Sequence, residues 1–93
     1  MKFHCSLDVA LKPGLLDPQG KAVEGSLPAL GWSNVSNVRI GKHIELDVEA
    51  DSQSDAVAQV DEMAERLLSN PVIERFVVRG VAEDQDLTSE DHR

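Results

Sequence analysis

Between Val38 and Ala50 the chain holds a single hydrophobic parity. Val38, Ile40, Ile44, Leu46, Val48 and Ala50 take the even positions, and Arg39, His43, Glu45, Asp47 and Glu49 take the odd ones. A two-residue repeat of this kind fits a β-strand with one dry face and one wet face, and no helix reproduces it. The parity survives Gly41-Lys42, so residues 35–50 read as one continuous strand rather than a hairpin. A single inserted residue would have exchanged the two faces. At about 3.3 Å per residue the alternating part is roughly 40 Å long, beyond an ordinary strand. A strand of that length is expected to overhang its own sheet, and an overhanging edge needs a partner.

The rest of the chain supplies the neighbours of that strand. Phe3, Cys5, Leu7, Val9 and Leu11 alternate with Lys2, His4, Ser6 and Asp8, which predicts a half-buried strand over 2–11. Asp17-Pro18 reads as a helix cap followed by a first helical residue whose missing N–H is no loss. Val23, Leu27 and Leu30 would share a face of that helix, with Pro28 bending its last turn and Gly31 ending it. Ala56, Val57, Val60, Met63, Ala64, Leu67 and Leu68 make the cleanest helical stripe, over about 53–69, and Asn70-Pro71 stops it. Residues 72–79 read as a third strand, with Val72, Phe76 and Val78 on one side.

The order is therefore β-α-β-α-β, an α+β protein. Polar residues on the strands (Lys2, His4, Asp8; Arg39, His43, Glu45; Arg75, Arg79) leave one sheet face open and put both helices on the other. The expected architecture is an open antiparallel sheet reminiscent of a ferredoxin-like plait lacking one strand, with the long second strand completing an oligomeric sheet. Residues 1–79 form the one domain. Residues 80–93 are acidic, with two isolated aliphatics, and are expected to be a disordered tail.

Composition narrows the function. The chain has 93 residues, nine Lys plus Arg and seventeen Asp plus Glu, for a net charge of −8. That balance repels phosphate backbones and anionic lipid, so nucleic-acid and membrane partners are not expected. No apolar run approaches the ~18 residues of a membrane span. The single cysteine, Cys5, can make no internal disulfide, which fits a cytoplasmic compartment. A chain this short buries little more than ~60% of its unfolded surface, so oligomerisation is a natural supplement.

No catalytic constellation emerges. His4, His43 and His92 sit on two strands and the tail without zinc-ligand spacing, and read as surface histidines. Cys5 falls in the apolar parity and reads as a buried, inert thiol. Asp61, Glu62 and Glu65 lie on the solvated side of the second helix. The stretch LKPGLLDPQGKA, residues 11–22, stays open to three readings. Lys12-Pro13-Gly14-Leu15 fits a type II turn; Gln19, Gly20 and Lys21 would present amides at a helix start to a small anion; and the whole loop would serve as a docking surface.

LKPGLLDPQGKAVEGSLPALGW, followed by VSNVRIGKHIELDVE and a helix ending LLSNPVIERFVV, resembles the PurS family over residues 2 to about 79. Lys12-Pro13-Gly14 with Asp17-Pro18-Gln19-Gly20-Lys21, and Arg39-Gly41-Lys42 with Ile44-Glu45-Leu46, carry the resemblance. Asn70-Pro71-Val72-Ile73-Glu74 is a weaker third marker. The resemblance implies the small accessory subunit of phosphoribosylformylglycinamidine synthase, a glutamine-dependent ligase of purine biosynthesis. In that family a large synthetase subunit (PurL) amidates formylglycinamide ribonucleotide using ATP and magnesium. A glutaminase subunit (PurQ) releases the ammonia. The small subunit, a homodimer or homotetramer without catalytic residues, bound cofactor or metal of its own, joins the two. Lys12, Pro13, Gly14, Asp17, Pro18, Gln19, Gly20, Lys21, Arg39, Gly41 and Lys42 are then the expected docking residues. The rival reading is a small regulatory module of the ACT-like kind, holding an amino acid at a dimer interface. Measurable ligand binding by the isolated chain would favour it.

Overall fold

In the computed structural model, which describes residues 1–83, the first alternating run forms strand β1, Lys2–Leu11. β1 is the central strand, with β2 (Lys42–Glu49) on one side and β3 (Glu74–Glu83) on the other, both antiparallel. Register follows the hydrophobic parity. Leu7 lies opposite Ile44 and Val78, and Cys5 opposite Leu46 and Val81. Helix α1 (Pro18–Ser26) and a 3-10 turn at Pro28–Leu30 connect β1 to β2, and helix α2 (Gln53–Met63), which runs on into a π turn at Ala64–Leu68, connects β2 to β3. The α+β, three-stranded antiparallel architecture is the one the sequence predicts.

The core is a single layer. Phe3, Cys5, Leu7 and Val9 of β1 meet Ala56 and Val60 of α2 and Ala64 of the π turn, with Val48 and Ala50 at one end. Ile44, Leu46, Phe76, Val78 and Val81 close its flanks. Ser52 caps α2 by accepting from the Asp55 amide at 3.1 Å. At the other end the Ser69 amide reaches back five residues to the Ala64 carbonyl at 2.9 Å, the signature of a π turn. The extra residue in that turn rotates the stripe, so Leu68 stays against the core while Leu67 is 82% exposed.

Two sequence expectations need correction. The continuous strand over 35–50 does not form. The strand begins at Lys42, and residues 33–41 are irregular. Val38 and Ile40 keep the parity, but their amides go to side chains: Val38 donates to Glu24 Oε1 at 3.3 Å and Ile40 to Asp17 Oδ2 at 2.8 Å. β2 pairs with β1 along its whole length, so it has no overhang within this chain. The third strand, conversely, does not stop at residue 79. It starts at Glu74, after a turn in which the Ile73 and Glu74 amides donate to the Asn70 carbonyl, and it pairs through Glu83 with Phe3. A bulge, between Ser6 and Leu7 in register, shifts its parity from Phe76 and Val78 to Val81. Residues 80–83 therefore belong to the sheet. The expected disorder of the remaining tail concerns residues outside the described ones.

α1 contributes only Gly20 to the buried set. Val23 is exposed, and so are Leu30 and Trp32 beyond it. The described chain measures 50 × 34 × 16 Å with a radius of gyration of 17.0 Å, against about 12 Å for a compact domain of this length. It is a thin slab with a limb, residues 12–41, at one end.

Leu7 and Leu67 test this packing, because the sequence puts both in apolar stripes. Leu7→Ala is expected to lower unfolding free energy by about 2–5 kcal/mol, and Leu67→Ala to change it by no more than ~0.5 kcal/mol. Urea denaturation followed by far-UV circular dichroism measures both.

Candidate functional site

The limb starts with the turn expected at Lys12–Leu15. The Leu15 amide donates to the Lys12 carbonyl at 3.2 Å, and Gly14 has φ +88°, the left-handed value that type II geometry requires at the third place. A side chain at Gly14 would meet nothing within 4 Å, so only the backbone angle selects glycine there.

Asp17 holds the next step. It has extended backbone angles, caps α1, and is 4% exposed. Its Oδ1 accepts from the Gly20 amide and its Oδ2 from the Ile40 amide, each at 2.8 Å. One carboxylate thus ties the start of α1 to a segment far away in sequence. The Ile40 amide first, and the Gly20 amide second, hold its pKa below the usual 3.8; the Arg39 guanidinium adds to this. Gly20 lets the two segments touch, because a Cβ there would collide with the Val38 carbonyl oxygen. Gly41 does the same against β1, where a Cβ would lie 2.5 Å from the Val9 carbonyl oxygen.

Arg39 closes the junction from outside. Its guanidinium donates to the Leu15 carbonyl at 2.9 Å and to the Lys12 carbonyl at 3.4 Å. Asn37 turns the chain at φ 59°, a left-handed angle that asparagine tolerates. Between the two segments lies an open cleft of about 410 Å³, with Leu16, Lys21, Glu24, Asn37 and Arg39 among its walls.

The structure therefore brings together the two segments that sequence reasoning singled out. Lys12, Pro13, Gly14, Pro18, Gln19 and Lys21 face solvent along the limb. Asp17 and Gly20 are buried beneath them and shape the surface from within. Arg39 is exposed yet bonded to the loop, Gly41 packs on β1, and Lys42 reaches Glu74 at 3.9 Å on the flank. The turn at residues 70–73 joins the same end, since the Lys12 amide donates to the Ile73 carbonyl at 2.8 Å. Val72 stands 78% exposed beside it. Sequence reasoning missed Glu24, Asn37 and the role of Arg39. The available signal was the glycines at 20 and 41, which mark close backbone approaches.

Among the described residues, no group of three or more His, Cys, Asp or Glu side chains is placed to hold a metal ion. No helix among them is long and apolar enough to cross a membrane. Cys5 is buried, and desolvation pushes its thiol above the usual 9.0.

Fold and site together define a small α+β protein with a hydrogen-bonded junction of loops at one end of an open sheet. The family profile described as "PurS: Phosphoribosylformylglycinamidine (FGAM) synthase" matches residues 4–82, and the chain belongs to that family. Its relatives named phosphoribosylformylglycinamidine synthase subunit PurS include that of a Synechocystis species. It is 49% identical over 74 residues, covering 80% of this chain and 74% of the relative. That of Bacillus subtilis is 47% identical, covering 80% and 87%. Among solved structures, Thermus thermophilus PurS superposes with a TM-score of 0.79 at 38% identity, covering 91% of this chain and all of that one. A chain in the structure of PurLQS from Thermotoga maritima gives 0.78 at 35% identity, covering 85% and 96%. The fold class and family expected from the sequence both hold.

Asp17→Asn keeps the size of the side chain and removes its charge, and is expected to lower the melting temperature at neutral pH. The folded pKa of Asp17 is depressed, so its stabilising effect is present above the ordinary value of 3.8 and lost as pH falls through the lower folded value. The gap between wild-type and Asp17→Asn melting temperatures should therefore narrow on acidification. A gap that is constant down to the acid limit would contradict this assignment.

Proposed function

We propose that this chain is the coupling subunit of a phosphoribosylformylglycinamidine synthase in the cytoplasm, joining a large synthetase subunit to a glutaminase subunit. In this reading the large subunit uses ATP and magnesium to amidate formylglycinamide ribonucleotide. The glutaminase supplies ammonia from glutamine, and this chain carries no catalytic group. Family membership supports the reading, as does the likeness to a chain of the Thermotoga maritima PurLQS assembly.

The observation that carries it is the junction. Asp17, Glu24 and Arg39 bond its segments to one another, and these contacts hold its outer surface in one shape. Lys12, Pro13, Gly14, Pro18, Gln19 and Lys21 are the residues a partner subunit would touch, with Arg39, Gly41 and Lys42 framing them. Asp17 and Gly20 act indirectly, by setting the loop.

Self-association belongs to the same proposal. Leu16 is 70% exposed, Leu30 69% and Trp32 55%, all on the limb at residues 12–41. A homodimer or homotetramer would bury that surface, as small domains with thin cores commonly require.

The test is reconstitution with the large and glutaminase subunits. Product formation from glutamine should require this chain, and formation from ammonium should not. Gln19→Ala should weaken complex formation about tenfold, or ~1.4 kcal/mol, while leaving stability within ~0.5 kcal/mol. Gly14→Val should weaken assembly as well, through the strain of a β-branched residue at positive φ. Equal rates with and without this chain in both assays would remove the coupling role. Unchanged assembly by both variants would remove the loop from it.

A further inference from the structure

The sheet face turned away from α2 carries a continuous chain of ionisable groups that the coupling role does not use. His4 Nδ1 lies 2.8 Å from Asp47 Oδ1, and His4 Nε2 lies 3.1 Å from Glu45 Oε1. On the other side of Glu45, its Oε2 is 3.0 Å from His43 Nε2, while His43 Nδ1 is 2.8 Å from Asp8 Oδ1. Arg79 Nε donates to Asp8 Oδ2 at 2.8 Å. The order Asp47, His4, Glu45, His43, Asp8, Arg79 alternates in charge and crosses from the edge strand β2 through β1 to β3.

The donor count decides what these histidines are. A neutral imidazole has one N–H and one lone pair, whereas an ionised carboxylate only accepts. Each of the two rings faces a carboxylate oxygen with both nitrogens. Each ring satisfies both contacts only by donating from both nitrogens, that is, as imidazolium. With three carboxylates, two imidazoliums and one guanidinium, the chain of groups is neutral. Loss of both ring protons would leave lone pairs opposed to carboxylates and a net of −2.

We infer that the His4–Glu45–His43 chain is a proton-dependent clasp that fastens the edge strand β2 to β1 when both histidines are charged and loosens when they are not. The register supports the role, because the contacts lie across the strand pair: His4 is opposite Asp47 and His43 opposite Asp8. The other charged groups of β1 and β2 on this face are Lys2 and Glu49, and β3 adds Arg75 beside Arg79. The chain's terminal amine, 3.8 Å from Glu49 at the far end of the same strand pair, also bears on it. Donation to Asp47 raises the pKa of His4 above the usual 6.5, and donation to Asp8 does the same for His43, each assisted by Glu45. His43, then Arg79, hold Asp8 below 3.8; His43, then His4, hold Glu45 below 4.5. The histidines share Glu45, so they titrate as a coupled pair.

A raised histidine pKa gives stability that is whole below the unfolded value of about 6.5 and is lost as pH rises through the folded value. Melting temperatures between about pH 5.5 and pH 8.5 therefore distinguish the wild type from His4→Gln/His43→Gln. The wild type should lose its advantage over the double variant across that range, while any contribution of the terminal amine is common to both. Ring-proton NMR titration of the wild type needs no variant and should place both histidines above the ordinary value. In Glu45→Gln, which keeps the shape and removes the shared charge, both titrations should move down together. Histidines titrating at or below the ordinary value overturn the clasp. So do parallel melting curves for wild type and double variant, or a Glu45→Gln effect on one ring alone.

Discussion

The hydrophobic core of the described residues depends on how closely α2 can lie on β1. The helix and its π turn meet the strand through Ala56, Val60 and Ala64, all fully buried, and two of the three are alanines. Small side chains at the contact bring the helix backbone near the sheet, and the volume is then filled from β1 by Phe3, Cys5, Leu7 and Val9. α2 lies over β1 and β3, and Ile44 and Leu46 of β2 stay partly buried at its flank. The core is complete without α1, and that is why α1 and its following turn stand outside it.

A limb that has no core to share must be shaped by polar contacts. Asp17 accepts from two amides that would otherwise be orphans, Glu24 takes a third, and Arg39 satisfies two loop carbonyls. Each such bond has a small net effect of about 1 kcal/mol, yet leaving a buried donor unmet costs more. These contacts therefore specify shape more strongly than they add stability. Binding of a partner to a surface of this kind would stabilise it by mass action. A limb shaped this way can thus be precise in form while adding little to the stability of the whole.

The same division explains what could be read from the sequence. Parity gave β1 and the paired part of β2, because those strands really do have one dry face. It failed at Val38 and Ile40, where the alternation continues but the amides bond to Glu24 and Asp17 instead of a neighbouring strand. Nothing in a hydropathy pattern records where an amide points. It failed again at Val81, because the bulge exchanged the faces after Val78 and made a strand end look like a tail. Helix periodicity located α2 but placed Leu67 inside, since a π turn alters the repeat without altering composition. In the candidate site, turn chemistry at Lys12–Leu15 and the Asp17 cap were legible residue by residue. Their meeting with residues 37–41 was not, apart from the resemblance that had singled out both segments.

β2 links the two polar systems. Its first residue, Lys42, lies opposite Val9 and follows Gly41, which is wedged against β1 next to the Asp17-bound Ile40. Its second residue, His43, is the inner histidine of the chain across the sheet face. The junction at the limb and the line of alternating charge therefore meet within a few residues on one edge strand. An edge strand has a ladder on one side only, so side-chain bonds weigh more in holding it than they would in the middle of a sheet. A change in the charge of His43 acts first on the pairing of His43 with Asp8. The next residues along the backbone are those that fix the loop at residues 12–21. Position along β2, rather than distance across the molecule, is what would couple them.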